Sequence, residues 1–445
     1  MKILIIGYGR TGKAAEKFFQ EKSIEVVIFD DQGGEFIIKD PHKLPWNSIN
    51  LALLSPGVPT WATLPPIVTL CRQKGVPIVS DMDIFYKYYH DKNFIGITGS
   101  QGKTTLHDAF YKYMIMKKED VSMGGNNGIP VLSLEPRYNI LWEVSMQQLL
   151  INQWSLFNIG VFINFFDTHQ EFGDFFYRLN NKRKILTRSD ILNQQFIIGD
   201  FPKGTVDLLG SSVREKDIVV YSDNFHNINH INRNNYVFVE FDGNHKIIYQ
   251  YNNKKNSFVI ENYGFNLISQ ENLGILWAFC LVKGYENIHE FIDFLKNYQL
   301  VDHRLTLIKT INNFNFFNGS KCTNGFALKT LKQYVHHKHP GKNYWILGGI
   351  INSPLENFNN KWGNDHIYIY GRDGSQIYDF LKDKHDKIFL KNTLDEIMAL
   401  INNDLKQEQE VINILLTPAC QSFDQFKDFE HRGHVFQDLV NNLEF

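Results

Sequence analysis

Residues 93–105 read NFIGITGSQGKTT, and the rest of the chain can be ordered around them. Phe94-Ile95-Gly96-Ile97-Thr98 is a short, mostly apolar run with the length of a buried strand. Gly99-Ser100-Gln101-Gly102 then forms a turn whose backbone N–H groups can face phosphate oxygens. Lys103 can reach the outer phosphates, and the Thr104 hydroxyl can ligate Mg²⁺ as Thr105 continues into a helix. The motif is shorter than the strict P-loop, because Ile97 stands where the first glycine would be. Gly99, Ser100, Gln101, Gly102, Lys103, Thr104 and Thr105 are therefore candidate contacts to a nucleoside triphosphate.

The same strand-to-helix texture extends in both directions. KILIIG (2–7) leads into a helix near TGKAAEKFFQEK (11–22) and then the strand EVVIFDD (25–31). INLALLSPG (49–57) and VPIVSD (76–81) read as two more buried strands ending in turns, and YNILWEV (138–144) and IGVFINF (159–165) follow in the centre. Between 218 and 261 the pattern alternates, and Asp242-Gly243 joins two such runs as an antiparallel hairpin insert. YWILGG (344–349), HIYIYG (366–371), KIFL (387–390) and VINILLTPA (411–419) supply the strands of the last third. Strands alternating with helices predict an α/β fold of parallel sheets covered by helices. At roughly 150 residues per domain, 445 residues suggest three, placed at 1–92, 93–300 and 301–445.

Composition removes several classes of function. Lys+Arg number 46 against 48 Asp+Glu, so the net charge of -2 gives no electrostatic ground for a nucleic-acid partner. Cys71, Cys280, Cys322 and Cys420 are far apart with no CxxC pair, which excludes a disulfide scaffold and a zinc ribbon and fits a reducing compartment. The first apolar run is cut by Gly7 before it reaches signal-peptide length, and no run of 18 apolar residues follows. A cytoplasmic, soluble protein with no membrane span is expected.

A second glycine loop, Gly7-Tyr8-Gly9-Arg10-Thr11-Gly12, lies between the first strand and helix, with Asp30 and Asp31 ending the next strand. This G-x-G-x-x-G places a phosphate-bearing nucleotide at a helix N-terminus and on its own is compatible with a dinucleotide. A nicotinamide oxidoreductase, however, has no need of the GKT loop. Glu143 ends an apolar strand, where a carboxylate is costly without a cation or donor, and His169 follows another strand end. Lys182 and Lys184 come next. Taken singly, each has an ordinary reading as a solvated lysine or a structural histidine.

The stretches LLTPACQSFDQFKDFEHRGHVF (415–436), ITGSQGKTT (97–105), GGNNGIP (124–130), SPGV (55–58), HR (303–304), SKCTN (320–324) and GRDG (371–374) together resemble the Mur ligase family over essentially the whole chain. The resemblance implies a Rossmann-like domain for a UDP-sugar, a central P-loop ATPase-like domain, and a second Rossmann-like domain for an amino acid. It implies that ATP activates the carboxylate of UDP-N-acetylmuramoyl-L-alanine as an acyl phosphate, which the amine of D-glutamate attacks, in a monomer serving peptidoglycan precursor synthesis.

By the same resemblance Thr104 and Glu143 hold the Mg²⁺ bound to ATP. His169 holds a second Mg²⁺ with a carbamate on Lys182, chosen over Lys184 because NNKRKI matches the family's A-A-K-x-R-I. Asn272, His303 and Arg304 would face ATP. Gly9, Arg10, Thr11, Asp30, Asp31, Ser55, Gly57, Asp81, Asn126, Ser145 and Gln148 would serve the UDP-sugar substrate. Lys321 and Thr323 would approach the acyl group, and Ser422, Phe423 and Phe429 would line the amino-acid pocket.

Four positions depart from the family pattern: Gly319 replaces an aspartate, Asn352 a lysine, Ile275 an asparagine after a lost histidine, and Asp167-Thr168 precede His169 in place of E-D. The lysine missing at 352 is the one that would pair with the side-chain carboxylate of D-glutamate. Losing such a partner costs about 1.5–3 kcal/mol, or roughly 10- to 150-fold in affinity. A Mur-like ligase for another amino acid or carboxylate, or an inactive nucleotide-binding homologue, are the alternatives these departures raise.

Overall fold

The computed structural model describes residues 1–443 apart from 32–36, 59–64, 155, 167–172, 190–192, 243, 262–267, 299–304, 340 and 360–361, with five side chains of one helix (326, 330, 333, 337 and 338) also left aside. The chain forms two compact units, Met1–Glu261 with Gln270–Lys296, and Asn262–Ser269 with Asn297–Phe445. Between them they carry three sheets.

The first sheet holds β1 (Lys2–Ile6), β2 (Glu25–Phe29), β3 (Ile49–Leu54) and β4 (Ile78–Val79), all parallel in the order β2-β1-β3-β4. Three helices, α1 (Arg10–Glu21), α2 (Pro66–Gln73) and α3 (Asp81–Tyr88), connect or follow these strands. The four residues Ile3–Ile6 are at most 1% exposed, which explains why β1 reads as a continuous apolar run. Gly12 is dictated by packing, since a Cβ there would lie 2.2 Å from the Gly7 carbonyl oxygen. α3 starts in a capping box between Ser80 and Asp83. The same Asp83 carboxylate accepts the backbone N–H groups of Gln153 (3.0 Å) and Trp154 (2.7 Å), fastening α3 to the central part of this unit.

The second sheet has nine strands: β5 (Asn93–Thr98), β6 (Val121–Gly125), β7 (Asn139–Glu143), β8 (Ile159–Phe162), β9 (Gln195–Gly199), β10 (Ile218–Ser222), β11 (Tyr236–Phe241), β12 (His245–Tyr251) and β13 (Lys254–Ile260). Their order is β13-β12-β11-β10-β9-β8-β5-β7-β6. From β6 to β11 all pairings are parallel, and β12 and β13 add antiparallel strands. The alternating segment is thus an extension of the main sheet through β11, and its Gly243 lies outside the described residues. Helices α4 (Lys103–Met116), α5 (Met146–Ile151), α6 (Phe175–Arg183), α7 (Thr205–Leu209), α8 (Gln270–Lys283) and α9 (Ile288–Asn297) belong to this part. α8 is buried from Asn272 to Leu281 and packs on β9–β11 and α4, with Phe279 stacked on Phe110 at 3.9 Å. A helix apolar on all sides is what such a position requires.

The third sheet holds β14 (Thr306–Ile311), β15 (Phe314–Asn318), β16 (Lys342–Gly348), β17 (His366–Tyr370), β18 (Ile388–Leu390) and β19 (Ile412–Leu416), in the order β14-β15-β19-β16-β17-β18. Only the β14–β15 hairpin is antiparallel. Helices α10 (Gly325–Lys338), α11 (Gly374–Leu381), α12 (Leu394–Leu405) and α13 (Phe429–Asn441) flank it, with an apolar cluster on each face. Among the described residues no helix is long and apolar enough to cross a membrane.

Candidate active site

The P-loop sequence is delivered by β5, whose terminal Thr98 hydroxyl donates to the Val144 carbonyl at 2.9 Å, with Val144 N–H on Ile97 O at 2.8 Å. Gly102 caps α4 with φ +82°, a left-handed conformation that favours glycine. A Cβ at Gly102 would lie 2.5 Å from the Asn272 side-chain nitrogen, so α8 sets its buried Asn272 directly on the loop. Lys103 Nζ folds back onto the carbonyls of Gly99 (2.8 Å) and Ser100 (3.3 Å) at the helix N-terminus, where the macrodipole favours an anion. Thr104 is partly exposed in the first turn, while Thr105 is buried against the protein interior.

Two residues join the loop from neighbouring strands. Glu143, 2% exposed at the end of β7, accepts from Asn126 Nδ2 at 2.9 Å, and its backbone carbonyl takes the Asn126 N–H at 2.8 Å. Asn164, just past β8, was not singled out in the sequence. Its Oδ1 accepts the Ser100 and Gln101 backbone N–H groups at 2.9 and 3.0 Å. A strand-end asparagine before a Phe-Phe pair carries no signal that separates it from an ordinary loop residue.

Lys182 and Lys184 have different surroundings. Lys182, 5% exposed on α6, donates to Ser100 Oγ at 3.3 Å, whereas Lys184 donates to the Leu149 and Leu150 carbonyls at the end of α5. Burial holds the Lys182 ammonium well below the ordinary lysine range, and repulsion from Lys103 and Arg178 adds to this. A buried amine that sheds its proton readily is the species a carbamate forms on. His169, His303 and Arg304, with Asp167 and Thr168, lie outside the described residues. Among the described residues no three His, Cys, Asp or Glu side chains gather closely enough to hold a metal. Glu143 and the Thr104 hydroxyl carry oxygen donors of the kind a hard cation takes, whereas Lys182 would supply one only in an anionic, carbamylated form.

The first glycine loop is held by its own neighbours. Tyr8 N–H donates to Asp30 Oδ2 at 2.6 Å, Ser55 Oγ donates to the Gly7 carbonyl at 2.7 Å, and Tyr8 OH bonds Glu16. Asp30 and Ser55 thus shape the loop. Gly9, Arg10, Asp31 and Gly57 are exposed, Thr11 is partly so, and Arg10 approaches the Gly128 turn. Ser145 and Gln148 spend their hydrogen bonds on a reciprocal capping box at the start of α5. Asp81 is buried at the start of α3, and desolvation pushes its carboxyl up to about 6.

In the second unit, Lys321 lies over the Phe429 ring at 4.6 Å, Thr323 is half-buried, Ser422 is buried and Phe423 is 65% exposed. Arg432, fully buried, organises this region: it donates to Ser320 Oγ (2.9 Å), Ser320 O (2.8 Å) and Cys420 O (3.0 Å). Its importance was hidden inside a quoted motif. At Gly319 a Cβ would lie 2.8 Å from Leu416 O, so the aspartate of the family pattern has no room without a backbone shift. Asn352 keeps a buried Oδ1 without a hydrogen-bond partner among the described residues. Asp373, which accepts the Ile351 N–H at 2.9 Å, is gripped by the Arg372 fork at 3.0 and 3.2 Å.

The parallel α/β architecture, with a P-loop in its central sheet and a second glycine loop in its first, is similar in fold to solved Mur ligases. A solved MurC, UDP-N-acetylmuramate–alanine ligase of Thermotoga maritima, matches the whole of both chains with a TM-score of 0.63 at 16% identity. The MurF ligase of the same organism, solved in complex with ADP, matches with a TM-score of 0.56 at 13% identity over 89% of this chain and 90% of that one. In sequence, the chain is a nearly full-length homologue of proteins named UDP-N-acetylmuramoylalanine–D-glutamate ligase. That of Rickettsia prowazekii is 27% identical over 465 residues (98% of this chain, 97% of the relative), and that of Francisella tularensis 27% over 467 residues (100% and 96%). No protein-family model matches the chain.

Proposed function

We propose that the protein is an ATP-dependent amide ligase that adds D-glutamate to UDP-N-acetylmuramoyl-L-alanine through an acyl phosphate, in the cytoplasm, as a monomer with the three domains drawn at 1–92, 93–300 and 301–445. The observation that carries this reading is the convergence of Lys103, Lys182 and Asn272 on one P-loop, with the buried Glu143 at the adjoining strand end. The relatives' name supplies the substrates.

The chemistry requires two anions, a triphosphate and a carboxylate, to meet. Lys103 and the first-turn amides of α4 offset the phosphate charge and hold the nucleotide in place. Glu143 and Thr104 would hold one Mg²⁺, with Lys182 as a carbamate and His169 holding a second; bound there, the ions would neutralise phosphate charge as the oxygen approaches phosphorus. Gly9, Arg10 and Thr11 at the start of α1 would take the UDP pyrophosphate, while Asp30 and Ser55 keep the loop open for it. Lys321, Thr323, Ser422 and Phe429 would receive the amino acid.

Lys103→Ala is the direct test: ligated product, followed by mass, should vanish, and product surviving the change would overturn the P-loop assignment. One observation favours a second reading. Asn352, with a buried Oδ1 that has no hydrogen-bond partner among the described residues, stands where the family pattern has a lysine, so an amino acid other than D-glutamate is the alternative acceptor.

A further inference from the structure

A P-loop binds phosphate through consecutive backbone N–H groups that converge on one point. In this chain two of them are already taken. Ser100 and Gln101 both aim their N–H groups at one oxygen, Asn164 Oδ1, at 2.9 and 3.0 Å. The bond is reciprocated, since Asn164 Nδ2 donates to the Gln101 carbonyl at 3.2 Å and the Ser100 N–H also reaches the Asn164 carbonyl at 3.1 Å. Asn164 is 6% exposed, so little water competes for these bonds. Two residues on, Phe166 exchanges hydrogen bonds with the Ser100 hydroxyl at 3.0 and 3.1 Å. That hydroxyl is also the acceptor for Lys182 Nζ.

We propose that Asn164 is a positioning residue of the nucleotide site: its carboxamide fills the nest formed by the Ser100 and Gln101 amides, so the amides offered to phosphate begin at Gly102. The loop needs such a tie. An oxygen fixed just past β8 holds the first half of the turn while α4 fixes the second. A nest filled from within also directs the triphosphate toward Lys103 and the first turn of α4, whose amides no earlier helical carbonyl can take. The inference rests on the nucleotide reading of this loop.

Two measurements on the full chain test it. In Asn164→Ala the affinity for an ATP analogue should fall roughly ten-fold or more, with KM for ATP rising and KM for the UDP-linked carboxylate unchanged. A purely structural role would lower the thermal midpoint and leave the two KM values in proportion, and that result would overturn the proposal. Hydrogen exchange on the wild-type protein, resolved by residue, does not depend on the variant folding. The Ser100 and Gln101 amides should be protected without nucleotide and gain nothing on binding it, while Gly102 to Thr104 gain protection. New protection of Ser100 and Gln101 on binding would overturn the inference. Failure of the wild-type protein to bind the analogue at all would overturn the nucleotide reading beneath it.

Discussion

At the scale of single residues, the loop glycine at 102 and the asparagine at 352 make opposite demands. Gly102→Ala must force a left-handed residue and move Asn272, whose side-chain nitrogen lies 2.5 Å from the new Cβ. We expect a loss of nucleotide affinity of roughly ten-fold or more, checked by titration with an ATP analogue, because loop strain of about 1–3 kcal/mol falls on the binding geometry. Asn352→Lys should act the other way. If the protein uses D-glutamate, a restored cation should lower its KM by roughly ten-fold or more, leaving KM for ATP unchanged. Steady-state kinetics on the variant checks this, and an unmoved KM would mean that the carboxylate is held elsewhere. Lys182→Ala should abolish turnover, and depleting bicarbonate should slow the wild-type enzyme if Lys182 works as a carbamate.

At the scale of elements, α13 and the loops after β15 and β19 are one construction around Arg432. Arg432→Ala would leave the Ser320 and Cys420 carbonyls without their donor in a buried setting. The expected cost is about 3 kcal/mol, seen as a lowered denaturation midpoint, and a variant as stable as wild type would remove Arg432 from this role. Much of the architecture could be read beforehand, because strands buried on both faces have continuous apolar runs: β1, β5, β8, β16 and β19 all sit where such runs lie. β6 and β9 escaped notice. Val121–Gly125 ends in two glycines that read as a motif, and Gln195–Gly199 is too short to stand out from its polar flanks. The β14–β15 hairpin was hidden by Asn-rich turn chemistry between its strands. In the candidate site, lysines and glycines were legible because their chemistry is unusual at a strand end. Asn164 and Arg432 were not, since a positioning residue has no signature apart from the partner it holds.

At the scale of the whole molecule, stability should depend on pH through a half-buried histidine in the second unit. His366 stacks on Tyr344 at 4.5 Å, and burial, reinforced by Lys342 and Lys387, lowers its pKa from 6.5 to about 4. Because the folded form binds the proton more weakly than the unfolded chain, the unfolded state holds more protons between these values. The contribution of neutral His366 is therefore complete above pH 6.5 and lost as pH falls toward 4. Denaturation midpoints measured across that window should decline on acidification, and His366→Phe should flatten the decline. The proposed function comes down to which amino acid is joined. The decisive measurement is phosphate release with ATP, Mg²⁺ and UDP-N-acetylmuramoyl-L-alanine across D-glutamate, L-glutamate, D-glutamine and D-aspartate. Turnover with D-glutamate alone is the expected result. Turnover with another of these amino acids in its place, or with none, would contradict it.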